Sequence, residues 1–182
     1  MKVLLTAFKP FNKQEINYSW EVLKYINDVD SVILDVCYDE CYNELKSQKK
    51  LDSYDIIIAM GEARMRNELM VEVVAKNISS CSLPDNSGIV KKDELINLDG
   101  KDLQTLVKLD KIQEIVKLSY DAGKFVCNNL YYRLLSNYPS KSIFIHIPEC
   151  YNNDDEYIKY ANVIMNIIDI MKKGLEDEIS SL

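Results

Sequence analysis

The chain has 182 residues, enough for one domain with a sizeable core, and 47% of them are hydrophobic and 28% charged, as in soluble globular proteins. The 22 basic and 29 acidic residues give a formal net charge of −7, which argues against a nucleic-acid-binding protein because such a surface repels phosphates. No segment approaches the length of a membrane span, and the first apolar run is too short for a secretory signal peptide. We therefore expect a cytoplasmic protein without membrane contact, whose 5 cysteines are reduced.

Strands and helices alternate in the first third of the chain. Three apolar runs predict strands, at residues 2–7, 31–36 and 55–60. Two helical patterns predict helices, at residues 19–28 and 40–51. Ser19 is the expected N-cap of the first helix, and Gly61 is expected to end the third strand. The third strand is apolar on both faces, as a sheet covered by helices on both sides requires.

The rest of the chain continues the alternation. The β-branched run 68–78 predicts a strand, "SLPDNSG" (82–88) predicts a turn, and 114–120 predicts a short strand. The closing segments are predicted as a helix at 126–136, a strand at 142–147 and a long helix at 155–177, with Gly174 near its C-terminal cap. We predict a single three-layer α/β/α domain spanning residues 1–182, with a twisted, mostly parallel sheet.

Three ionisable residues stand where the pattern asks for aliphatic ones. Glu72 interrupts "LMVEVVA", His146 interrupts "IFIHIP", and Cys127 follows the apolar pair "FV". A cysteine, a histidine and a carboxylate together make a thiol-hydrolase triad. Singly, each has a simpler explanation: Glu72 points outward from its strand, and His146 is a hydrogen-bonded core residue. Cys127 begins an apolar stripe of helical spacing, so it is either a nucleophile at a helix N-terminus, where a thiolate is favoured, or a core residue.

Six segments resemble motifs of the pyroglutamyl peptidase I family, the cytosolic cysteine peptidases also called pyrrolidone-carboxylate peptidases. The segment "GEARMRNELMVEVVAKNI" (61–78) is similar to G-x-A-G-G-R-x-x-I-x-x-E-R-V-A-x-N, and "AGKFVCNNLYY" (122–132) is similar to A-G-T-F/Y-V-C-N-H-L-x-Y. The other four are "LLTAFKPF" (4–11), "INYSWEVLK" (16–24), "LPDNSG" (83–88) and "FIHIP" (144–148).

The resemblance implies a phosphorylase/hydrolase-like fold and a cysteine peptidase that removes N-terminal pyroglutamate from peptides. It assigns the nucleophile to Cys127, the base to His146 and the orienting carboxylate to Glu72. It also implies a homodimer or homotetramer and no metal or organic cofactor. The apolar pocket for the lactam ring would be lined by Phe8, Phe11, Phe125 and Val126.

Several residues depart from the family pattern around this site. The departures are Ala7 and Asn12 for glycines, Tyr18 for a proline, Arg64 and Met65 for the Gly-Gly pair, Ser82 for an arginine and Lys124 for a threonine. Between Gln104 and Ala122 the chain has room for only a stub of the helix expected there. Two alternatives therefore stay open: a related cysteine amidohydrolase with a different acyl specificity, and a non-catalytic binding module on the same fold.

Overall fold

A computed structural model describes residues 1–151 and 154–181. The strands are β1 Val3–Phe8, β2 Asp30–Leu34, β3 Ile56–Glu62, β4 Met70–Glu72, β5 Val74–Ala75, β6 Leu103–Gln104, β7 Lys117–Ser119 and β8 Ser142–Ile147. The helices are α1 Tyr18–Leu23, α2 Glu40–Gln48, α3 Val126–Asn137 and α4 Asp154–Ser180, with a short 3₁₀ helix at Leu51–Ser53. No helix in these described ranges is both long and apolar enough to cross a lipid bilayer.

Six strands form the central sheet in the order β2-β1-β3-β8-β4-β7. The first four run parallel to one another, while β4 pairs antiparallel with β8 and parallel with β7. Strands β5 and β6 form a separate antiparallel pair. The predicted mostly parallel α/β sheet is confirmed, and its single antiparallel junction lies between β8 and β4.

Successive side chains along the strands belong alternately to two apolar clusters, one on each face of the sheet. On one face, residues such as Leu5, Ile58 and Ile145 pack with α1 and α4. On the other, which we call the α3 face, alternate residues such as Ile57 and Phe144 pack with α2 and α3. Burial on both faces explains why these strands are continuously apolar rather than alternating in polarity.

The N-terminus of α1 differs from the prediction. The N-cap is Asn17, whose Oδ1 accepts a hydrogen bond from the Ser19 backbone N–H at 3.0 Å. The Ser19 hydroxyl, expected to be the cap, instead accepts from the Phe8 backbone N–H at 3.1 Å and so ties α1 to the end of β1. Ser19 thus contacts the distant Phe8 backbone instead of capping its own helix.

Two glycines do not end their elements as predicted. Strand β3 continues through Gly61 to Glu62, and α4 continues through Gly174 to Ser180. Neither glycine has a left-handed backbone, so both continue their strand or helix without strain.

The run 68–78 also differs, because it forms two short strands instead of one. Beyond β5 the side chain of Asn128 on α3 takes over the backbone hydrogen bonds, accepting from the Lys76 N–H and donating to the carbonyls of Lys76 and Ile78. Residues 105–116 form loops and turns, which agrees with the lack of room for a full helix before β7.

Candidate active site

Strand register places Glu72 beside His146. Across the antiparallel pair of β4 and β8, His146 lies opposite Met70, and Glu72 lies two residues further along β4. The two side chains are therefore diagonal neighbours on the same face of the sheet. His146 Nδ1 and Glu72 Oε1 are hydrogen-bonded at 2.6 Å, and the two residues are 5% and 0% exposed. Glu72 thus points into the protein and not outward from its strand.

Arg66 is the second partner of the Glu72 carboxylate. Its Nη2 lies 2.6 Å from Glu72 Oε1 and also donates to the Ser119 hydroxyl and the Asp121 carbonyl. Burial alone would raise the pKa of Glu72, but the hydrogen bond and charge interaction with His146, together with Ser119 and Arg66, hold that pKa below its usual value. Glu72 is consequently a carboxylate at neutral pH.

Cys127 is the second residue of α3 and reaches the same face of the sheet. A Cβ atom placed on Gly61 would lie 2.7 Å from the Cys127 sulfur, so the sulfur sits directly against the backbone of β3. Gly61 is in turn the register partner of His146 on the neighbouring strand. The three residues of the expected triad, Glu72, Cys127 and His146, are therefore brought to one face of the sheet, although they are far apart in sequence.

The environment of the Cys127 thiol disfavours its ionised form. The residue is partly exposed to a cavity but closely surrounded by protein. Burial raises the pKa of the Cys127 thiol to about 12; the charges of Glu62 and Glu72 act in the same direction, and Arg66 acts against them. We expected the helix N-terminus to favour a thiolate, but desolvation outweighs it. The thiol is neutral in the free site, so its nucleophilic attack requires a base.

A cavity of about 380 Å³ opens over Cys127 and His146. Of the residues expected to line a ring pocket, Phe125 lies on its wall, and the ring of Phe11 packs against Phe125 with the centroids 5.8 Å apart. Phe8 and Val126 are buried in the apolar cluster of the α3 face and do not line the cavity. These two residues therefore support the wall from behind.

Three residues next to the cavity form a connected cluster that we call the Tyr18–Glu62–Arg64 cluster. Glu62 Oε1 lies 2.6 Å from Arg64 Nε, and Glu62 Oε2 accepts from the Tyr18 backbone N–H at 3.0 Å. The Arg64 guanidinium also lies over the Tyr18 ring, 4.8 Å from its centroid. Proline, the family residue at position 18, has no N–H to donate, and glycine, the family residue at 64, has no charge. Two departures from the family pattern are thus coupled through Glu62.

The turn "LPDNSG" is connected to the cavity wall through Asp85 and Tyr38. Asp85 accepts hydrogen bonds from the backbone N–H groups of Tyr38, Ser87 and Ile89, each at 2.9 Å. The Tyr38 ring packs edge-on against Phe125, with the centroids 5.4 Å apart. Asp85 therefore links the turn to the aromatic wall of the cavity.

Sequence reasoning did not single out Arg66 or Glu62 as site residues. Arg66 had a usable signal, because it occupies the arginine of the G-x-A-G-G-R pattern. Glu62 had none, since its link to the Tyr18 N–H joins segments 44 residues apart. Within the described ranges no three His, Cys, Asp or Glu side chains form a group suited to holding a metal ion.

Comparison with known proteins places this site in a family. The sequence profile of pyroglutamyl peptidase matches residues 1–159. A pyrrolidone-carboxylate peptidase from Brachyspira hyodysenteriae is 34% identical over 171 residues, which cover 81% of this chain and 83% of that relative. One from Thermosipho melanesiensis is 33% identical over 194 residues, covering 96% and 95%.

Solved structures agree in fold. The pyroglutamyl peptidase I from Bacillus amyloliquefaciens is similar with a TM-score of 0.80 and 30% identity, over 89% of this chain and 91% of that one. The pyrrolidone carboxyl peptidase from Fervidobacterium islandicum gives a TM-score of 0.83 at 25% identity, over 95% and 99%. By its sequence and its fold, the chain belongs to the pyroglutamyl peptidase family.

Proposed function

We propose that the protein is a cysteine peptidase of the pyroglutamyl peptidase I type, which removes pyroglutamate from the N-terminus of peptides. The observation that carries the proposal is the 2.6 Å contact between the buried Glu72 and His146, which lines the same cavity as Cys127. Family membership supplies the reaction and the substrate, while this contact gives the chain's own residues a way to perform it.

Proton transfer starts with the orientation of His146. With Nδ1–H donating to the Glu72 carboxylate, Nε2 is the basic nitrogen of the ring. Because burial keeps the Cys127 thiol protonated, His146 removes its proton as the sulfur attacks the carbonyl that links pyroglutamate to the next residue. Glu72, held ionised, stabilises the imidazolium that forms.

The reaction then proceeds through an acyl-enzyme. The C–N bond breaks, the proton on His146 passes to the leaving amine, and a thioester remains on Cys127. Water, activated by His146, releases pyroglutamate and regenerates the thiol. Backbone N–H groups at the start of α3 are the proposed donors to the oxyanion, since the first turn of a helix has unpaired N–H groups.

The apolar wall suits a neutral, flat acyl group. We assign the lactam ring to the surface made by Phe125 and Phe11, with Phe8 and Val126 packed behind them. An apolar wall does not compensate a desolvated charge, so an N-terminal glutamate with its free amine and carboxylate is disfavoured relative to pyroglutamate.

Hydrolysis of pyroglutamyl-aminomethylcoumarin tests the proposal, with other aminoacyl-aminomethylcoumarins as a comparison panel. We expect the wild-type protein to cleave the pyroglutamyl compound and Cys127→Ala to abolish cleavage. Cys37→Ala is the matched control, because Cys37 is a partly exposed thiol outside the cavity lining and its loss leaves turnover intact.

The other outcomes separate the alternatives. Cleavage of a different acyl compound, with none of the pyroglutamyl one, would identify a cysteine amidohydrolase of other specificity. Failure to cleave any compound above the Cys127→Ala background would favour a non-catalytic binding module. Either result overturns the proposed activity.

We also propose that residues 1–182 act as one hydrolase domain, that the protein assembles as a homodimer or homotetramer, and that it works in the cytoplasm without a cofactor. Resemblance to the family supports these statements. Light scattering coupled to size-exclusion chromatography tests the assembly, and a monomer at micromolar concentration would contradict it.

A further inference from the structure

Among the described residues, five charged side chains line the cavity, and most of them are paired with an opposite charge. Arg64 forms an ion pair with Glu62 at 2.6 Å, and it also donates a hydrogen bond to the Gln14 side chain at 3.0 Å. Arg66 forms an ion pair with Glu72, also at 2.6 Å. The charge of each guanidinium is therefore compensated by a carboxylate, although the buried Arg66 Nη1 has no hydrogen-bond partner among the described residues.

The remaining two charges on the wall differ from each other. Asp121 forms an ion pair with Lys76 at 2.8 Å. Lys124 lines the same cavity, is exposed, and makes no ion pair or side-chain hydrogen bond within the described residues. Its backbone is anchored, because its carbonyl accepts from the Ser80 N–H at 2.8 Å. Lys124 thus presents the one uncompensated charge on the described wall, from a fixed point three residues before Cys127.

From its exposure we relate Lys124 to the leaving group and not to the acyl group. The neighbouring residue, Phe125, belongs to the aromatic surface assigned to the neutral lactam. Because the lactam is assigned to the aromatic surface, the residue after pyroglutamate begins the part of the peptide that extends toward solvent, and Lys124 is an exposed residue of the same cavity. A positive charge there attracts a carboxylate and repels a second ammonium.

We propose that Lys124 is a specificity-determining residue that favours peptides with Asp or Glu directly after pyroglutamate. The inference rests on the proposed peptidase function and specifies its substrate class. The family has a threonine at this position, which carries no charge, so the preference is a property of this chain.

Three peptide amides test the inference: pyroglutamyl-glutamate amide, pyroglutamyl-glutamine amide and pyroglutamyl-lysine amide. Amidation removes the terminal carboxylate, so the peptides differ mainly in one side-chain charge, and the glutamate and glutamine forms are close in shape. At low ionic strength we expect kcat/KM to be about two- to fivefold higher for the glutamate peptide than for the glutamine peptide, as for an exposed ion pair. The lysine peptide should be the slowest, and salt should compress the series.

Charge variants assign the effect to Lys124. Lys124→Thr should abolish the glutamate-over-glutamine ratio, and Lys124→Glu should invert it. Lys50→Glu is the matched control, because Lys50 is exposed and forms no ion pair among the described residues. It precedes the N-terminal end of β3, whereas the cavity lies at the C-terminal end of that strand. This substitution makes the same change in net charge and should leave the ratio as in the wild type.

The failures are distinguishable. Equal kcat/KM for the three peptides, or a ratio that survives in Lys124→Glu, would overturn this inference while leaving the peptidase function standing. A ratio that changes as much in Lys50→Glu would assign it to overall charge, which also overturns the role of Lys124. If none of the three peptides is cleaved, the proposed function itself fails, and this inference with it.

Discussion

Gly61 leaves free the space against which the Cys127 sulfur packs. A Cβ atom at residue 61 would lie 2.7 Å from that sulfur and 2.9 Å from the Phe144 ring, both closer than van der Waals contact permits. The glycine is therefore required here for close approach between a helix N-terminus and a strand, and not for a special backbone angle.

Replacing Gly61 with alanine should displace Cys127 from the site. We expect kcat/KM for pyroglutamyl-aminomethylcoumarin to fall by about a hundredfold, because a small misplacement of a nucleophile is costly. Overpacking should also lower the free energy of unfolding by about 1–3 kcal/mol. Steady-state kinetics and urea unfolding measure the two effects.

Gly174→Ala provides the control. Apart from its chain neighbours and the backbone of its own helix, no described atom lies within 4 Å of a Cβ at this glycine. Alanine should therefore leave activity unchanged and stabilise α4 by about 0.5–1 kcal/mol. Wild-type activity in Gly61→Ala would contradict the steric requirement.

The Tyr18–Glu62–Arg64 cluster should control the ionisation of Cys127. Glu62 raises the pKa of the thiol, and Arg64 compensates the Glu62 charge. Arg64→Gly, which restores the family residue, should raise that pKa further and slow alkylation by iodoacetamide about three- to tenfold at a fixed pH below the pKa. Mass mapping of the Cys127 peptide follows the rate.

The double variant Glu62→Gln/Arg64→Gly is the matched test of compensation. It removes both charges together, so alkylation should recover to at least the wild-type rate. If the double variant reacts as slowly as Arg64→Gly alone, the loss comes from altered packing and not from the Glu62 charge. Thermal unfolding of both variants reports that packing directly.

Asp85 should make stability depend on acidity. Burial tends to raise its pKa, but hydrogen bonds from Ser87, Tyr38 and Ile89 hold the pKa below the ordinary value of 3.8. A group with a depressed folded pKa contributes stability that is present above 3.8 and is lost as pH falls through the folded pKa. Asp85→Asn should therefore lower the free energy of unfolding by about 1–3 kcal/mol near neutral pH.

The difference between wild type and Asp85→Asn should shrink in acid, as the wild-type carboxylate becomes protonated. Urea unfolding at neutral pH and at about pH 2.5 measures it. Asp169→Asn on the exposed side of α4 is the control, since Asp169 has no ion pair in the described part of the chain. This substitution should leave the free energy of unfolding unchanged at both pH values. A gap for Asp85→Asn that is constant with pH would contradict the carboxylate's role.

Much of the fold followed from pattern alone. Continuous apolar runs such as 142–147 predicted strands buried on both faces, and the isolation of Glu72 and His146 in such runs predicted polar residues with partners. These features are local, so the sequence around each residue was sufficient to predict them. The position of Glu72 and His146 on one sheet was not predicted by pattern alone, because it depends on the antiparallel pairing of β4 with β8.

The features that sequence could not predict depend on contacts between distant segments. Asn17 replaced Ser19 as a cap because Ser19 found a partner on β1. The Tyr18 N–H meets Glu62, 44 residues away. The pKa of the Cys127 thiol is raised because the fold surrounds the sulfur closely, and the position at a helix N-terminus did not indicate this burial.

The antiparallel junction of β4 and β8 has a consequence for how this chain tolerates changes of length. Glu72 and His146 are 74 residues apart, yet the register of two paired strands places them beside each other. Insertions or deletions in the loops between them leave that register intact. A single residue inserted within β4 would instead turn the carboxylate to the opposite face of the sheet. Length variation should therefore accumulate in the connections between these strands and be absent from the strands themselves.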